Sequence, residues 1–512
     1  MPEYLAPGVY IDKTAHLPPS INASSTCIAA FVGYTQQHQN NGRSLLNKPV
    51  RITSLLEFEQ YFGGDAKHQF NLTPVKAGQL TDASIGNKGY CLSQHSTNFL
   101  LYRSLSLFFN NGGSECFIVS VGDYKSTINA SSIITGLSAI TNETNISLIA
   151  IPDAVALASA SECASVQQAL LARSSQGVDK HFAILDIFQG NSEFSHTRPD
   201  NCIEAFRHHI SGADLSYAAA YYPWLDTIAI NRKNLGFGCF YNIASLKRLL
   251  LMELAENYRA ANRTAITKQK QLQSIIDAIA EEDLASLNNA QRNEQQQLHQ
   301  TLLNLSPLYS AMMTRISEKL NLLPPSGAIC GCYALVDRTQ GVWKAPANIA
   351  LSSVIRPCTT LTAEQQQALN IHPSGKSVNV IRSFVGQGVV VWGARTLAGN
   401  DAQWRYINVK RTAMMIEQSI RYGLKALIFE PNEHNLWSTI KMMIENFLAQ
   451  LWQQGALAGA KPQQAYFVNV GLNSTMTATD VANGRLIVEL GVAIIKPAEF
   501  ILLKVEQQNQ PT

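Results

Sequence analysis

Short, continuous apolar runs alternate with amphipathic stretches along the first part of the chain. Residues 26–34, 116–121, 146–151 and 182–187 are apolar almost throughout, which predicts strands buried on both faces. Residues 49–53 predict another extended segment that leads into SLLEFEQYFGG. There Ser54 and Glu57 have capping-box spacing, and Gly63 with Gly64 can end the helix. Residues 98–110 predict a second helix closed by Gly112 and Gly113, and the alanine-rich 161–173 predict a third. Strands alternating with helices imply an α/β body around a largely parallel sheet.

Two later regions have other patterns. Residues 242–304 are rich in Gln, Asn, Glu and Leu and contain neither Gly nor Pro. Leu272, Ile275, Ile276 and Ile279 fall at i, i+3, i+4 and i+7, and Leu298, Leu302 and Leu305 at i, i+4 and i+7. These narrow stripes predict amphipathic helices, folded against themselves or the body, or docked on a partner. From Asn379 a second α+β unit is expected: strand VIRSF, then GQGVVVW, then a helix with Val409, Met415, Ile416 and Ile420 on one face. A further helix over 436–451 follows Asn435, an expected N-cap, and strands over 465–470 and 486–495 come last.

The two ends share a design. Val9, Tyr10 and Ile11 lie between Pro7 and the pair Pro18–Pro19, and Phe500, Ile501, Leu502, Leu503 and Val505 follow Pro497. Proline removes a backbone donor and biases its predecessor to extended conformations, so both ends read as strands on stiff linkers. Such strands pair within their own subunit or complete a sheet in another copy.

Composition narrows the function classes. The 512 residues are 46% hydrophobic, enough for two or more domains with real cores. A formal net charge of +3 does not point to nucleic acid or a membrane surface. MPEYLAPGVY lacks a basic n-region and an apolar h-region, so no signal peptide is expected, and no apolar stretch is long enough to predict a membrane helix. Nine scattered cysteines fit a reducing cytoplasm better than a disulfide framework.

Chemical signals are sparse. Ser374–Ser377 spell SGKS, but the earlier glycine of a phosphate-binding loop would fall at Asn370, so Lys376 reads as a solvated loop residue. Cys330, Cys332, Cys358 and His372 can be drawn as a zinc set, yet the lone C-x-C has no second close pair. His208 and His209 are adjacent and cannot share a face. Asp153 follows a strand, where α/β enzymes place active sites, but no nucleophile elbow accompanies it and a capping role is expected. No catalytic, cofactor or metal residues are therefore assigned.

Several longer segments resemble the contractile tail sheath family of phage tails, R-type bacteriocins and extracellular injection systems. They are FFNNGGSECFIVSV (108–121), YYPWL (221–225), PPSGAICGCYALVDRTQGVWKAPAN (324–348), NVIRSFVGQGVVVWGARTL (379–397), FEPNEHNLW (429–437) and KPAEFILLKV (496–505). They occur in the family's order across nearly the whole chain, and the opening PEYLAPGVYI resembles most the injection-system branch. The departure from compact members is the long stretch between Trp224 and Pro324.

The resemblance implies an α/β fold with linking arms at 1–21 and 499–512. Between them it implies an outer α/β sheath domain at 22–375, carrying the helical insertion at about 242–304, and an inner C-terminal α+β domain at 376–498. It further implies a structural subunit of stacked hexameric rings around an inner tube, contracting to drive that tube through a target envelope. The implied partners are itself or paralogous sheath subunits, the inner tube protein, and baseplate and cap proteins, with no nucleic acid and no membrane insertion. Such a protein is made in the bacterial cytoplasm and becomes part of a tail or extracellular particle. The alternative from another class is an α/β hydrolase or nucleotide-binding enzyme with an unusual C-terminal domain.

Overall fold

The apolar runs become the middle of one large sheet. The computed structural model describes residues 20–500 apart from 77–80, 144, 178, 195–200, 213, 258–262 and 281–287. Among the described residues, nine strands lie in the order Ile349–Ala350, Gly388–Trp392, Val378–Phe384, Ala218–Tyr222, Phe182–Asp186, Leu148–Ala150, Ala29–Thr35, Cys116–Asp123 and Val50–Ile52. The stretch from Val378–Phe384 to Cys116–Asp123 is parallel, and antiparallel strands close both sides. Ala29–Thr35, Leu148–Ala150, Phe182–Asp186 and Ala218–Tyr222 are buried at every residue, as strands covered on both faces must be. The mixed α/β class expected from the sequence is what the chain forms.

The helices form where local signals place them. Leu55–Phe62 is capped by Ser54, whose side chain accepts the Glu57 N–H, and Gly63 ends it at φ 81°. The Glu57 carboxylate reaches back to the N–H and hydroxyl of Thr53 rather than to Ser54. Helices Leu101–Asn110 and Ser326–Gln340 cross in close backbone contact. A Cβ on Gly327 would stand 2.2 Å from the Ser104 carbonyl oxygen, and one on Gly331 2.5 Å from that of Phe108. Only glycine permits that approach.

The polar region of the sequence builds a second core. Helices Ile243–Asn257, Arg263–Ala278, Asn289–Leu305 and Pro307–Asn321 join the three-stranded sheet of Phe70–Pro74, Lys88–Gln94 and Ala83–Ile85. Leu272, Ile275, Ile276, Ile279 and Leu302 are buried together with Phe70, Leu92, Tyr309 and Met312, and Leu298 and Leu305 pack at the margin. Arg103, completely buried, ties this core to the α/β body: its guanidinium donates to Leu320 O (2.5 Å), Asn98 Oδ1 (2.6 Å) and Phe99 O (2.7 Å).

The chain divides into two compact units, Ser25–Lys410 and Met1–Ser24 with Arg411–Thr512; of the second, 20–24 and 411–500 are described. The sequence expected the division at 375/376. Residues 376–410 instead belong to the large unit, because the hairpin Val378–Phe384/Gly388–Trp392 pairs in parallel with Ala218–Tyr222. The boundary falls within the helix Ile407–Leu424, on which Val409, Met415, Ile416 and Ile420 are buried as expected. The next helix, His434–Gln453, starts earlier than predicted: its N-cap is Glu433, and Asn435 lies in the first turn.

Candidate functional site

The carboxyl ends of the parallel strands are the first place to look for chemistry. The chain passes from Ala29–Thr35 to Cys116–Asp123 on one side, then to Leu148–Ala150 on the other, so the topology reverses there. Doubly wound sheets open a ligand crevice at such a point. Here Asp153 fills it. The residue is wholly buried; Oδ2 accepts the Tyr34 N–H (2.8 Å), and Oδ1 accepts those of Leu100 (2.7 Å) and Leu101 (3.2 Å) at the start of the helix Leu101–Asn110. A protein carboxylate thus sits where a phosphate would meet a helix N-terminus. A Cβ on Gly33 would lie 2.5 Å from Asp153 Oδ2, so the carboxylate rests directly on the strand. Burial pushes Asp153 up to about 6 against the pull of the three N–H donors. Asp186, at the end of Phe182–Asp186, repeats the device by accepting the Ser326 N–H (2.9 Å) of the helix Ser326–Gln340, and burial pushes it up to about 7. The expected capping role of Asp153 is the observed one.

The other sequence candidates are structural. Lys376 lies in a loop and is half-exposed, yet it is anchored there: its Nζ donates to Arg207 O (2.5 Å), and Arg207 Nε donates back to Lys376 O (3.1 Å). The Arg207 guanidinium also reaches Ala368 O and Leu369 O, so the pair clamps the helices Cys202–His209 and Ala363–Asn370 together. Cys330 and Cys332 are buried in the helix Ser326–Gln340, where burial pushes the Cys332 thiol up to about 12. Cys358 is half-buried, with Sγ 3.8 Å from Gly190 O, and His372 Nδ1 pairs with Ser374 Oγ (2.8 Å). Among the described residues no three His, Cys, Asp or Glu side chains converge in metal-ligand geometry. His208 is exposed, whereas His209 Nδ1 bonds Ala205 O (2.7 Å).

The small unit differs in kind. Residues 20–24 lie along the helix Ile407–Leu424: the Ser24 N–H donates to Ser419 Oγ (2.8 Å), and Ile21 covers Gly423. Helix His434–Gln453 buries Ile440, Met443, Ile444, Phe447, Leu448 and Leu451 as a single stripe. Against it packs a two-stranded antiparallel sheet, Tyr466–Val470 with Val488–Val492. Strand alternation buries Val468 and leaves Phe467 (56% exposed) and Asn469 outside. Phe467 lies over Gly491, its partner across the sheet, and Leu472, Ile487 and Leu490 are exposed nearby in the chain. Among the described residues no third strand joins this sheet.

The arm residues fall at the limits of this picture. Val9, Tyr10, Ile11, Ile501, Leu502, Leu503 and Val505 lie outside the described residues. Phe500 is the last described residue and is 68% exposed. Sequence reasoning missed the outward position of Phe467, which shares its face with Gly491 across the sheet. Its only local signal was alternation in a strand taken as generic.

The crevice of the large unit is filled by its own carboxylate, and among the described residues the sheet of the small unit has two strands. Comparisons with known proteins add the following. Residues 399–508 match the phage tail sheath C-terminal domain family. The chain is 25% identical to the tail sheath protein of Burkholderia phage BcepMu over 36% of its own length and 38% of the relative's. It is likewise 25% identical to the tail sheath protein of Vibrio phage KVP40, over 29% of this chain and 22% of that one. The alignments thus span less than half of these curated relatives. Solved structures match over nearly the full length. The contracted helical sheath of the anti-feeding prophage (AFP) superposes with a TM-score of 0.60 at 27% identity, covering 99% of this chain and 100% of that one. A chain of the six-fold symmetrised AFP baseplate gives 0.57 at 25%, over 99% and 100%. The contracted PVC sheath of an extracellular contractile injection system shares the fold, with 0.59 at 24% and 99% coverage of each chain. The chain is thus similar to contractile tail sheath proteins, by sequence in its C-terminal part and by fold over nearly its whole length.

Proposed function

We propose that this chain is a structural subunit of a contractile sheath, stacked as hexameric rings around an inner tube and contracting to drive that tube through a target envelope. The observation that carries the reading is the unfinished two-stranded sheet of the small unit, with Phe467 and Leu490 exposed, in the region that matches the sheath C-terminal domain. A strand supplied from elsewhere extends such a sheet through main-chain hydrogen bonds. The segments best suited to supply it are the arms, Val9–Tyr10–Ile11 and Phe500–Ile501–Leu502–Leu503 with Val505, contributed by neighbouring copies. Main-chain pairing persists while the subunit bodies rotate, because the proline-bearing linkers absorb the motion.

The role is mechanical rather than catalytic. The work of contraction comes from the difference in subunit contacts between two packings of one lattice. Baseplate, tube and cap proteins are the partners this role requires, and an extracellular particle or phage tail is its setting. An α/β hydrolase or nucleotide enzyme would need the crevice that Asp153 occupies.

Electron microscopy of the purified chain tests the reading. Helical tubes or stacked rings are expected, and deletion of residues 2–18 is expected to leave a folded subunit that forms neither. Discrete monodisperse particles from the full chain, or normal sheaths from the truncated one, would refute it.

A further inference from the structure

A cleft of about 590 Å³ opens within the large unit, where the loop 65–69 of the α/β body meets the segment 229–243 that leads into the second core. Its volume falls within the roughly 300–1,000 Å³ of small-molecule sites. Its charges balance. Among the described residues that line it, Lys67 is the one cation and Asp65 the one carboxylate. A phosphate would find no pair of cationic donors there, and a divalent ion no group of carboxylates.

The polar groups are set for a neutral ligand. His68 lines the cleft and is only 7% exposed. Burial pushes its imidazole down, so the ring is neutral, and Nε2 meets Asp65 Oδ2 at 3.3 Å. The carboxylate accepts, which puts the ring proton on Nε2 and leaves Nδ1 a bare acceptor. Among the described residues nothing donates to that Nδ1. Asn231 and Asn234 are exposed on a braced turn: Asn231 Oδ1 accepts the Lys233 N–H (3.0 Å), and Gln296 and Gln300 each donate to Lys233 O (2.7 Å). Tyr241 supplies an apolar wall. It is 54% exposed, and its ring stacks on that of His95 with centroids 3.7 Å apart, so it stands as a supported, half-open aromatic plate.

We propose that this cleft binds a neutral carbohydrate. A sugar ring has an apolar C–H face, which an aromatic plate covers. Its rim carries hydroxyls, each both donor and acceptor, which side-chain amides and an unfilled imidazole acceptor satisfy. A wall held in place before binding loses little freedom when the ligand arrives. The inference stands apart from the sheath reading, since it needs no second copy of the chain.

Saturation-transfer NMR on the full chain tests it, with D-glucose, D-galactose, D-mannose, N-acetyl-D-glucosamine and a trisaccharide of each as probes, and adenosine monophosphate as the control. At least one sugar is expected to bind, its ring C–H protons receiving the strongest transfer. Tyr241→Ala truncates a half-exposed side chain, so the melting curve is expected to stay unchanged while binding weakens roughly tenfold. Tyr241→Phe keeps the plate and is expected to retain binding. Asn234→Ala, at an exposed position, is expected to weaken binding about fivefold through a lost hydrogen bond. Tighter binding of a trisaccharide than of its monomer assigns the site to glycan chains, and equal binding assigns it to free sugars. No transfer to any sugar, transfer unaffected by Tyr241→Ala and Asn234→Ala, or a Tyr241-dependent preference for adenosine monophosphate over every sugar would overturn the proposal.

Discussion

The two sheets of this protein obey opposite rules. In the large unit, the inner strands Ala29–Thr35 and Phe182–Asp186 are buried at every residue, and antiparallel strands close both sides of the sheet. In the small unit, two strands cover one face of a helix and leave Phe467 outside. The first sheet is complete within one chain, so its apolar area stabilises the subunit itself. On the proposed reading the second is completed by a strand from another copy, so part of its apolar area would stabilise the assembly. On that reading folding and assembly are assigned to different sheets, as a subunit that stays folded while its contacts change would require.

That comparison can be broken or sharpened by substitution, in order of expected effect on the isolated subunit. Replacing 242–304 with a short Gly/Ser linker removes Leu246, Leu249, Leu250, Ile276, Leu302 and others from the second core. The sequence pattern left open whether these helices pack on the body or on a partner. At roughly 1.5–3 kcal/mol for each buried side chain, the loss should unfold the remaining helix and the three-stranded sheet. Strong dye binding to exposed apolar surface and poor solubility are expected; a soluble, cooperatively melting protein would show the insertion to be independent after all.

Arg103→Ala comes next. It strips two buried carbonyls and the half-buried Asn98 amide of their charged donor and leaves a hole between body and insertion. A cost of about 3–5 kcal/mol is expected in chemical denaturation. A loss below ~1 kcal/mol would mean that the two cores are not coupled through this residue.

Acidity provides a third test, confined to the large unit. Asp153 and Asp186 have folded pKa values of about 6 and about 7, above the 3.8 of an exposed aspartate. The folded state therefore holds more protons than the unfolded one between those limits. Stability from these groups is fully present below about pH 3.8 and is lost as pH rises through 6 to 7. Asp186→Asn should flatten the upper part of that slope in melting curves taken across this range. An unchanged slope would show that the Ser326 N–H and the helix N-terminus keep Asp186 ionised.

The smallest effect on the subunit should come from Phe467→Ser. Its ring is more than half exposed, so a change within about ±0.5 kcal/mol is expected. Sheath formation, followed by sedimentation, should nonetheless fail. Destabilisation of the monomer without loss of assembly would reverse the proposed division between the sheets.

Much of the fold was legible because its signals are local. The all-apolar strands, the Ser54 cap and the stripe Leu272–Ile275–Ile276–Ile279 each follow from neighbouring residues and a fixed period. Asp153 was legible as a cap because a carboxylate after a strand and before no nucleophile has few other uses. The strands Phe70–Pro74 and Lys88–Gln94 were not, since they are half-exposed and carry no strong alternation.

What the amino-acid sequence determined by itself was the inventory: which segments are strands or helices, which faces are apolar, and that no residue set for catalysis stands together in the chain. Tertiary structure alone decided who pairs with whom. The hairpin Val378–Phe384/Gly388–Trp392 reads as the start of a new domain, yet it joins Ala218–Tyr222 in the large sheet. Lys376 reads as a solvated loop residue, and the half-exposed side chain does lie in a loop, but its bond to a helix far away in sequence is set by the fold. Phe467 reads as one more apolar strand residue, yet it faces outward. Periodicity records the side of an element that must be covered, whereas the partner that covers it is chosen by long-range packing.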